Sequence, residues 1–294
     1  MKFTLKQIEV FLSIAKCGST TAAAASLNLS QSAVSSALQT LEAHYGQNLF
    51  DRVGKQLILS PTGRAALPHA QRLLDFAAEF DGELRGSDIA GALTIGASYT
   101  IANHVIVDVL VDFIARYPDV NVNLQSDNSP GIAELVLMRE IDLGLVENVI
   151  RHESIHSEPW LSDELIVFCA PDHPLALKQS IAIDDLVSAR WVLREAGSGA
   201  RTVFDETFEK HLSNIDIAIE FRHNEPIKRA VSSGLGIGCL SSRVIDRELA
   251  DGTLTALSVP PDARMMRRFY LIQHADVKLS APANAFATAC LGLA

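Results

Sequence analysis

Residues 28–52 read NLSQSAVSSALQTLEAHYGQNLFDR. Ser30 is a residue type that caps helices, and Val34, Ala37, Leu38, Leu41 and Tyr45 follow at the spacing of one apolar helical stripe. Gln31, Ser32, Ser35, Ser36 and Gln39 then fall on the free side, near the helix start. Upstream, Leu5, Ile8, Leu12 and Ala15 keep helical spacing as far as Gly18, a C-terminal stop. Ser19 or Thr20 caps a short Ala-rich helix through Leu27, and Asn28 supplies the turn. This order predicts a helix-turn-helix, whose last helix presents short polar side chains to base edges and in which Gln pairs bidentately with adenine. A solvated helix in an ordinary three-helix bundle has the same spacing.

Working downstream, Leu49-Phe50-Asp51-Arg52 and Gln56-Leu57-Ile58-Leu59, joined by Val53-Gly54-Lys55, predict a hairpin with cations at its tip, the form of a phosphate-gripping wing. Gln31 and Ser35 are then the expected base readers, with Ser32, Arg52 and Lys55 on phosphates. Ser60 and Pro61 cap a long helix in which Ala66, Ala70, Leu73, Ala77, Phe80 and Leu84 form a heptad seam. A second copy is expected to pair through Ala66, Leu73, Ala77, Phe80 and Leu84, and Pro68 is expected to kink the helix near its start.

The ordered motifs from Phe11 to Gly63 are Ala24, Ser30-Gln31-Ser32-Ala33-Val34-Ser35, Leu41-Glu42, Leu49-Phe50-Asp51-Arg52 and Leu59-Ser60-Pro61-Thr62-Gly63. Together they resemble the LysR-type transcriptional regulators, departing at Ser36, where many members carry Arg. The resemblance continues through Arg116-Tyr117-Pro118, Ile141-Asp142-Leu143-Gly144, Asp172-His173-Pro174-Leu175 and Gly234-Leu235-Gly236-Ile237. Gly96-Ala97-Ser98, Gly144-Leu145-Val146-Glu147 and Arg194-Glu195-Ala196-Gly197-Ser198-Gly199 are most similar to the CysL-like branch, which often has Thr where this chain has Tyr99.

The length of 294 residues, 48% apolar and 20% charged, argues for two or three domains and excludes a disordered chain. Formal net charge is -10, yet residues 1–60 sum to +2 and the other 234 to -12, the asymmetry of a DNA-facing module on an acidic body. Cys17, Cys169, Cys239 and Cys290 share no close spacing and read as reduced packing thiols. No apolar run approaches the ~18 residues of a membrane span and no secretion signal is evident, so a cytoplasmic protein without a membrane partner is expected.

From Gly91 strands and helices alternate, which predicts α/β layers with ligands at the carboxyl ends of the strands. Strands are expected at 93–95, 120–124, 143–147, 165–168, 191–193, 217–220, 236–240 and 269–272, with helices from about 100 to 117, from 132, and at the C-terminus. The expected fold class is α+β multidomain: a winged helix-turn-helix (1–60), a dimerisation linker helix (61–88) and a two-lobed, periplasmic-binding-protein-like α/β effector domain (91–294). The resemblance implies lobes at 91–163 plus 265–294 and at 164–264.

Gly197-Ser198-Gly199-Ala200-Arg201 leads into a helix, and free backbone donors plus one guanidinium form an anion site or else an ordinary cap. The resemblance places this loop in the effector cleft, with Ser98, Thr100, Asn128 and Ser129 at the matching positions opposite. Glu147 either faces the cleft or makes a structural hydrogen bond. Hydroxyls, amides and a single cation suit one small anion. His152-Glu153-Ser154-Ile155-His156 matches HExxH, but Pro159 and the preceding strand make it a surface connection, and neither a metal nor a cofactor is expected. Gly234, Gly236 and Gly238 fail the GxGxxG pattern and read as a buried strand.

These features describe a non-catalytic, sequence-specific regulator that binds double-stranded DNA at an interrupted palindrome, as a dimer or tetramer, under control of a small anionic effector. The class also admits RNA polymerase as a partner. The rival reading is a two-lobed small-molecule-binding protein or enzyme with an N-terminal interaction module.

Overall fold

The computed structural model describes residues 2–53, 56–85 and 89–292, and divides into compact units at Met1–Ala92 and Leu93–Ala294. In the first unit, α1 (Leu5–Cys17) opens with a Thr4/Gln7 capping box and closes on Gly18 at φ 71°. Ser19 caps α2 (Thr20–Ser26), Asn28 turns the chain at φ 54°, and Ser30 caps α3 (Gln31–Tyr45) by accepting the Ala33 N–H at 3.2 Å. The hairpin is β1 (Phe50–Val53) and β2 (Gln56–Leu59), so Val53 belongs to the strand rather than to the connection. Glu42 fixes the hairpin entry by accepting the Leu49 N–H at 2.7 Å. The long helix α4 (Pro61–Arg85) runs through Pro68 without ending there. Gly63 lies so close to the Leu49 carbonyl that any side chain would collide with it, which gives the Ser60-Pro61-Thr62-Gly63 run its physical meaning.

Val10, Phe11, Ile14, Ala23, Val34, Leu38, Leu41, Phe50 and Ala70 form the core of this unit. Two expectations shift. Tyr45, placed by spacing on the buried stripe, is 52% exposed, because the last turn of α3 passes the end of the core and lies at an apolar cavity of about 440 Å³. The α4 seam also divides: Ala70 is buried in the core of its own unit and Ala66 packs partly against it, whereas Leu73, Phe76, Phe80 and Leu84 are exposed. Phe76 was not in the expected seam.

The second unit contains β3 (Gly91–Ser98), α5 (Tyr99–His104), α6 (Ile106–Arg116), β4 (Val120–Asp127), α7 (Ser129–Leu137), β5 (Leu143–Val146) and β6 (Ile155–Cys169). There follow α8 (Ile183–Val187), β7 (Arg190–Arg194), α9 (Gly199–Thr207), β8 (Asp216–Phe221), α10 (Asn224–Ser232), β9 (Ile237–Ser241), α11 (Ser242–Ala250), β10 (Thr255–Ala256), β11 (Met265–His274) and α12 (Ala281–Leu291). The sheet order is β4-β3-β5-β11-β6-β9-β7-β8, with β10 on β6. Parallel pairs (β3 with β5, β7 with β8 and β9) flank the long antiparallel pair of β6 and β11, which carries the chain between two lobes. Ile132, Val136, Ile141 and Ile272 fill one lobe; Trp191, Phe204, Phe208 and Ile237 fill the other.

Three sequence expectations are corrected in this unit. The single helix expected over 100–117 is two, broken at Val105, whose φ of -124° and ψ of -47° lie off the helical geometry. The helix expected from Ile132 begins at Ser129, because Asn128 caps it and Pro130 suits its first turn. Finally, Ile155 and His156 open the 15-residue strand β6 rather than a surface connection. Pro159 is accommodated where the register with β11 slips between Arg268 and Tyr270, a position that tolerates a missing N–H. The HExxH letters therefore do not form a helical zinc face, and no metal-holding group occurs among the described residues.

Candidate functional site

The start of α3 is exposed at Gln31, Ser32, Ser36 and Gln39, with Ser35 half-buried. Gln31 Nε2 donates to Thr20 Oγ1 at 3.2 Å, which ties the α3 start to α2, and Ser32 Oγ lies 3.0 Å from the cap hydroxyl of Ser30. No acid occurs between Glu9 and Glu42, so this face presents hydroxyls, amides and helix-start N–H groups without a competing negative charge. Arg52 is exposed on β1, while Lys55 lies outside the described residues. On α4, Leu73 is 40%, Phe76 69%, Phe80 57% and Leu84 71% exposed, an apolar stripe on one helix face; Ala77 is half-buried and Ala66 faces its own core.

In the second unit, Ser98, Thr100, Ser129 and Ser198 are buried at the carboxyl ends of strands and the starts of α5, α7 and α9, and Asn128 is half-buried. Asn128 caps α7 through the Gly131 N–H (3.0 Å) and Ser198 caps α9 through the Arg201 N–H (3.2 Å). The two lobes approach one another here. Asn148 Nδ2 donates to the Gly199 carbonyl at 3.4 Å, and a side chain on Gly199 would collide with Glu147. Gly197 adopts φ 91°, a left-handed conformation that favours glycine, beside Asn128 and Pro130.

Glu147 is not a free cleft carboxylate. It accepts the Thr100 N–H at 3.3 Å and pairs with Arg267 Nη1, and its side chain is 2% exposed. Burial pushes its pKa up, but Arg267, then Arg194, outweigh this and hold the carboxyl below its usual range. The buried Ser98 hydroxyl lies beside this carboxylate and helps to hold its pKa down, whereas Arg267 Nη2 is buried without a partner.

Arg201, expected as the cation of the site, is engaged elsewhere. Nε holds Asp205 at 2.8 Å, while Nη1 holds Glu220 and donates to the Arg194 carbonyl at 3.2 Å. The i,i+4 spacing to Asp205 accounts for this capture. The residues that sequence reasoning missed are Arg267 and Arg194. Arg194 binds Glu195 through Nε and Nη2 and Asn224 through Nη1, and lies 5.6 Å from the Tyr99 ring centroid. A signal for Arg267 existed: in β11 Met265, Arg267 and Phe269 are buried between exposed Met266 and Arg268, so alternation turns Arg267 inward.

The three buried thiols are inert in this setting. Burial pushes Cys169 up to about 11 and Cys239 and Cys290 up to about 12.

A helix-turn-helix with a wing, a long helix with an exposed apolar stripe and a two-lobed α/β unit with a polar cleft define a ligand-responsive DNA-binding regulator. Residues 5–64 match the bacterial regulatory helix-turn-helix protein model of the lysR family, and residues 86–294 match the LysR substrate binding domain. The chain belongs to the LysR-type transcriptional regulators, which are regulators and not enzymes, and the rival reading falls with that membership.

It is 42% identical over 290 residues to the HTH-type transcriptional regulator YeiE of Escherichia coli strain K12, covering 99% of this chain and 98% of that one. CysL of Bacillus subtilis strain 168 is 28% identical, covering 86% and 85%, so the expected CysL-like affinity is only loose. Among solved structures, full-length CbnR complexed with its target DNA has a TM-score of 0.70 at 20% identity, covering 99% and 100%, a likeness of fold. The Synechocystis PCC6803 CcmR regulatory domain in complex with 2-PG has a TM-score of 0.63 at 29% identity, covering 69% and 96%. Among the described residues no helix is long and apolar enough to cross a membrane.

Proposed function

We propose that this LysR-type regulator reads a two-fold DNA site through Gln31 and Ser35, with Ser32, Arg52 and Lys55 on phosphates, as a dimer joined along α4. In this reading the module spans 1–60, the linker 61–88 and the effector domain 91–294. Assembly of dimers into tetramers and contact with RNA polymerase belong to the same proposal. Its effector is a small anion held between the lobes by Ser98, Thr100, Asn128, Ser129 and Ser198, with Arg267 in place of Arg201 as the cation and Glu147 as that cation's partner.

The observation that carries the anion is Arg267 Nη2, a charged donor buried without a partner on the guanidinium that pairs with Glu147. A buried donor without a partner costs about 1–3 kcal/mol, more when charged, so a ligand that supplies an acceptor is favoured at this point. That CcmR was solved with 2-PG supports a small ligand in this domain. The test is selection of a duplex from a random pool, followed by calorimetry of sulfate, phosphate and acetate with the wild type and Thr100→Val. An enriched two-fold site, and one anion whose affinity falls at least tenfold in Thr100→Val, are the expected results. A neutral effector bound equally by both proteins overturns the anionic reading.

A further inference from the structure

Four side chains form one buried chain of bonds across the second unit. Glu147, just past β5, meets Arg267 of β11; Arg267 Nε donates to Asp163 Oδ2 of β6 at 2.6 Å; and Ser241 Oγ, ending β9, donates to Asp163 Oδ1 at 2.7 Å. Ser241 also caps α11 by accepting the Arg243 N–H at 3.3 Å. The side chains of Glu147, Asp163 and Arg267 are at most 2% exposed. The group thus runs from the cleft floor in one lobe, through the two long strands between the lobes, to the first turn of a helix in the other.

Stability does not explain it. Arg243 adds a longer pairing to Asp163 at 3.8 Å and Arg194 acts on Glu147, so the charges are matched, yet replacing buried ion groups by apolar residues of the same volume is often neutral or stabilising. What the arrangement provides is a connection. Arg267 holds Glu147 through Nη1, which also lies close to Gly199 at the start of α9, while Nε holds Asp163, so a change of charge at one end of the guanidinium is felt at Asp163, and through it at the start of α11. Neither Asp163 nor Ser241 is placed among the effector contacts.

We infer that Asp163 and Ser241 are positioning residues for the effector response, transmitting occupancy of the cleft from Arg267 to α11 of the second lobe. This rests on the anionic effector proposed above.

The experiment uses the full chain and whichever of sulfate, phosphate or acetate binds the wild type. Anion affinity is read by calorimetry, and affinity for the selected duplex is read with and without the anion. In the wild type the anion is expected to change duplex affinity at least about fivefold, the lower end of ordinary coupling. Asp163→Asn and the milder Ser241→Ala are expected to bind the anion within threefold of wild type, while the change in duplex affinity drops below twofold. Ile227→Ala, which opens an apolar cavity in the same lobe, serves as a control for lost stability and should keep the wild-type response. A wild-type response in both Asp163→Asn and Ser241→Ala overturns the inference, as does loss of response in Ile227→Ala. If no anion binds the wild type, the anionic reading itself fails and takes this inference with it.

Discussion

Among the described residues of the N-terminal unit, Ser60 is the buried polar side chain, and its hydroxyl is satisfied twice, by the Asn48 carbonyl at 2.7 Å and the Gly63 N–H at 3.0 Å. The second unit buries Glu147, Asp163, Arg194, Lys228 and Arg267 besides four serines, a threonine and an asparagine. The first unit keeps its polar chemistry on the surface, where DNA meets it, and its interior serves only to hold α3 in place. In the second unit the polar chemistry lies inside, where a small ligand can be desolvated and each charge is strengthened by the low local dielectric. A charge change should therefore register as lost affinity in one unit and as lost stability in the other.

The largest expected effect follows from removing Arg267. Arg267→Met takes from Glu147 and Asp163 the cation they share, leaving Arg194 near the first and the longer Arg243 contact at 3.8 Å on the second, and breaking a buried pair in this way costs about 3–5 kcal/mol. Both tryptophans, Trp160 and Trp191, lie in the second unit, so denaturant unfolding followed by their fluorescence reads this unit alone. The pH dependence carries a sign. In the wild type Glu147 sits below its ordinary value of 4.5, so its stabilisation is present above that value and is lost as pH falls through the folded pKa. Without the guanidinium the balance moves toward the burial effect and the Glu147 pKa rises, so Arg267→Met should lose less stability than the wild type as pH falls from 7 through the Glu147 range. A variant with wild-type stability and pH profile would erase the contrast between the units.

Next comes the exposed stripe of α4. Phe80→Glu places a charge on the exposed stripe with Phe76 and Leu84 and the partly exposed Leu73. Burying a side chain such as Phe contributes about 1.5–3 kcal/mol, so dimerisation should weaken at least tenfold by sedimentation, and operator affinity with it. Unchanged sedimentation and affinity would remove α4 as the interface.

On the DNA face the expected loss is smaller and selective. Gln31→Ala should cost about 1–3 kcal/mol on the selected duplex and little on random DNA, because a bidentate base contact discriminates whereas a phosphate contact does not. Equal losses on both duplexes would make Gln31 a structural tie to Thr20 rather than a base reader.

The same contrast explains what could be read from the sequence. The helix-turn-helix was legible because its determinants are local: Ser30 caps α3 within three positions, Gly18 and Asn28 turn the chain by their own conformations, and the sequence narrows the α2 cap to Ser19 or Thr20, of which Ser19 serves. In the second unit Ser198 was legible for the same reason. Arg267 was not, since its partners Asp163 and Glu147 lie 104 and 120 residues away, and alternation in β11 tells which way it points but not what it meets. Pro159 misled for a related reason: the bulge that accommodates it is a property of the pairing with β11, not of the β6 sequence.

The smallest expected effect separates the two cations proposed in turn for the effector. Arg201 is held by Asp205 and Glu220, whose side chains are 38% and 41% exposed, and by the Arg194 carbonyl, all outside the cleft floor. Its pKa is raised by Glu220 and Asp205 against a burial effect that lowers it, as expected of a guanidinium already matched with anions. Ion pairs at this exposure contribute about 0.2–1 kcal/mol each once solvent screening is allowed for. Arg201→Ala should therefore lower the stability of the second unit by about 1 kcal/mol and leave anion affinity within twofold of wild type. Arg267→Met should abolish anion binding under conditions in which it remains folded. Calorimetry on the two variants at one pH and salt concentration makes the comparison. If Arg201→Ala abolished binding while Arg267→Met retained it, the cation of the site would be Arg201 after all, released from its two acids when the ligand arrives.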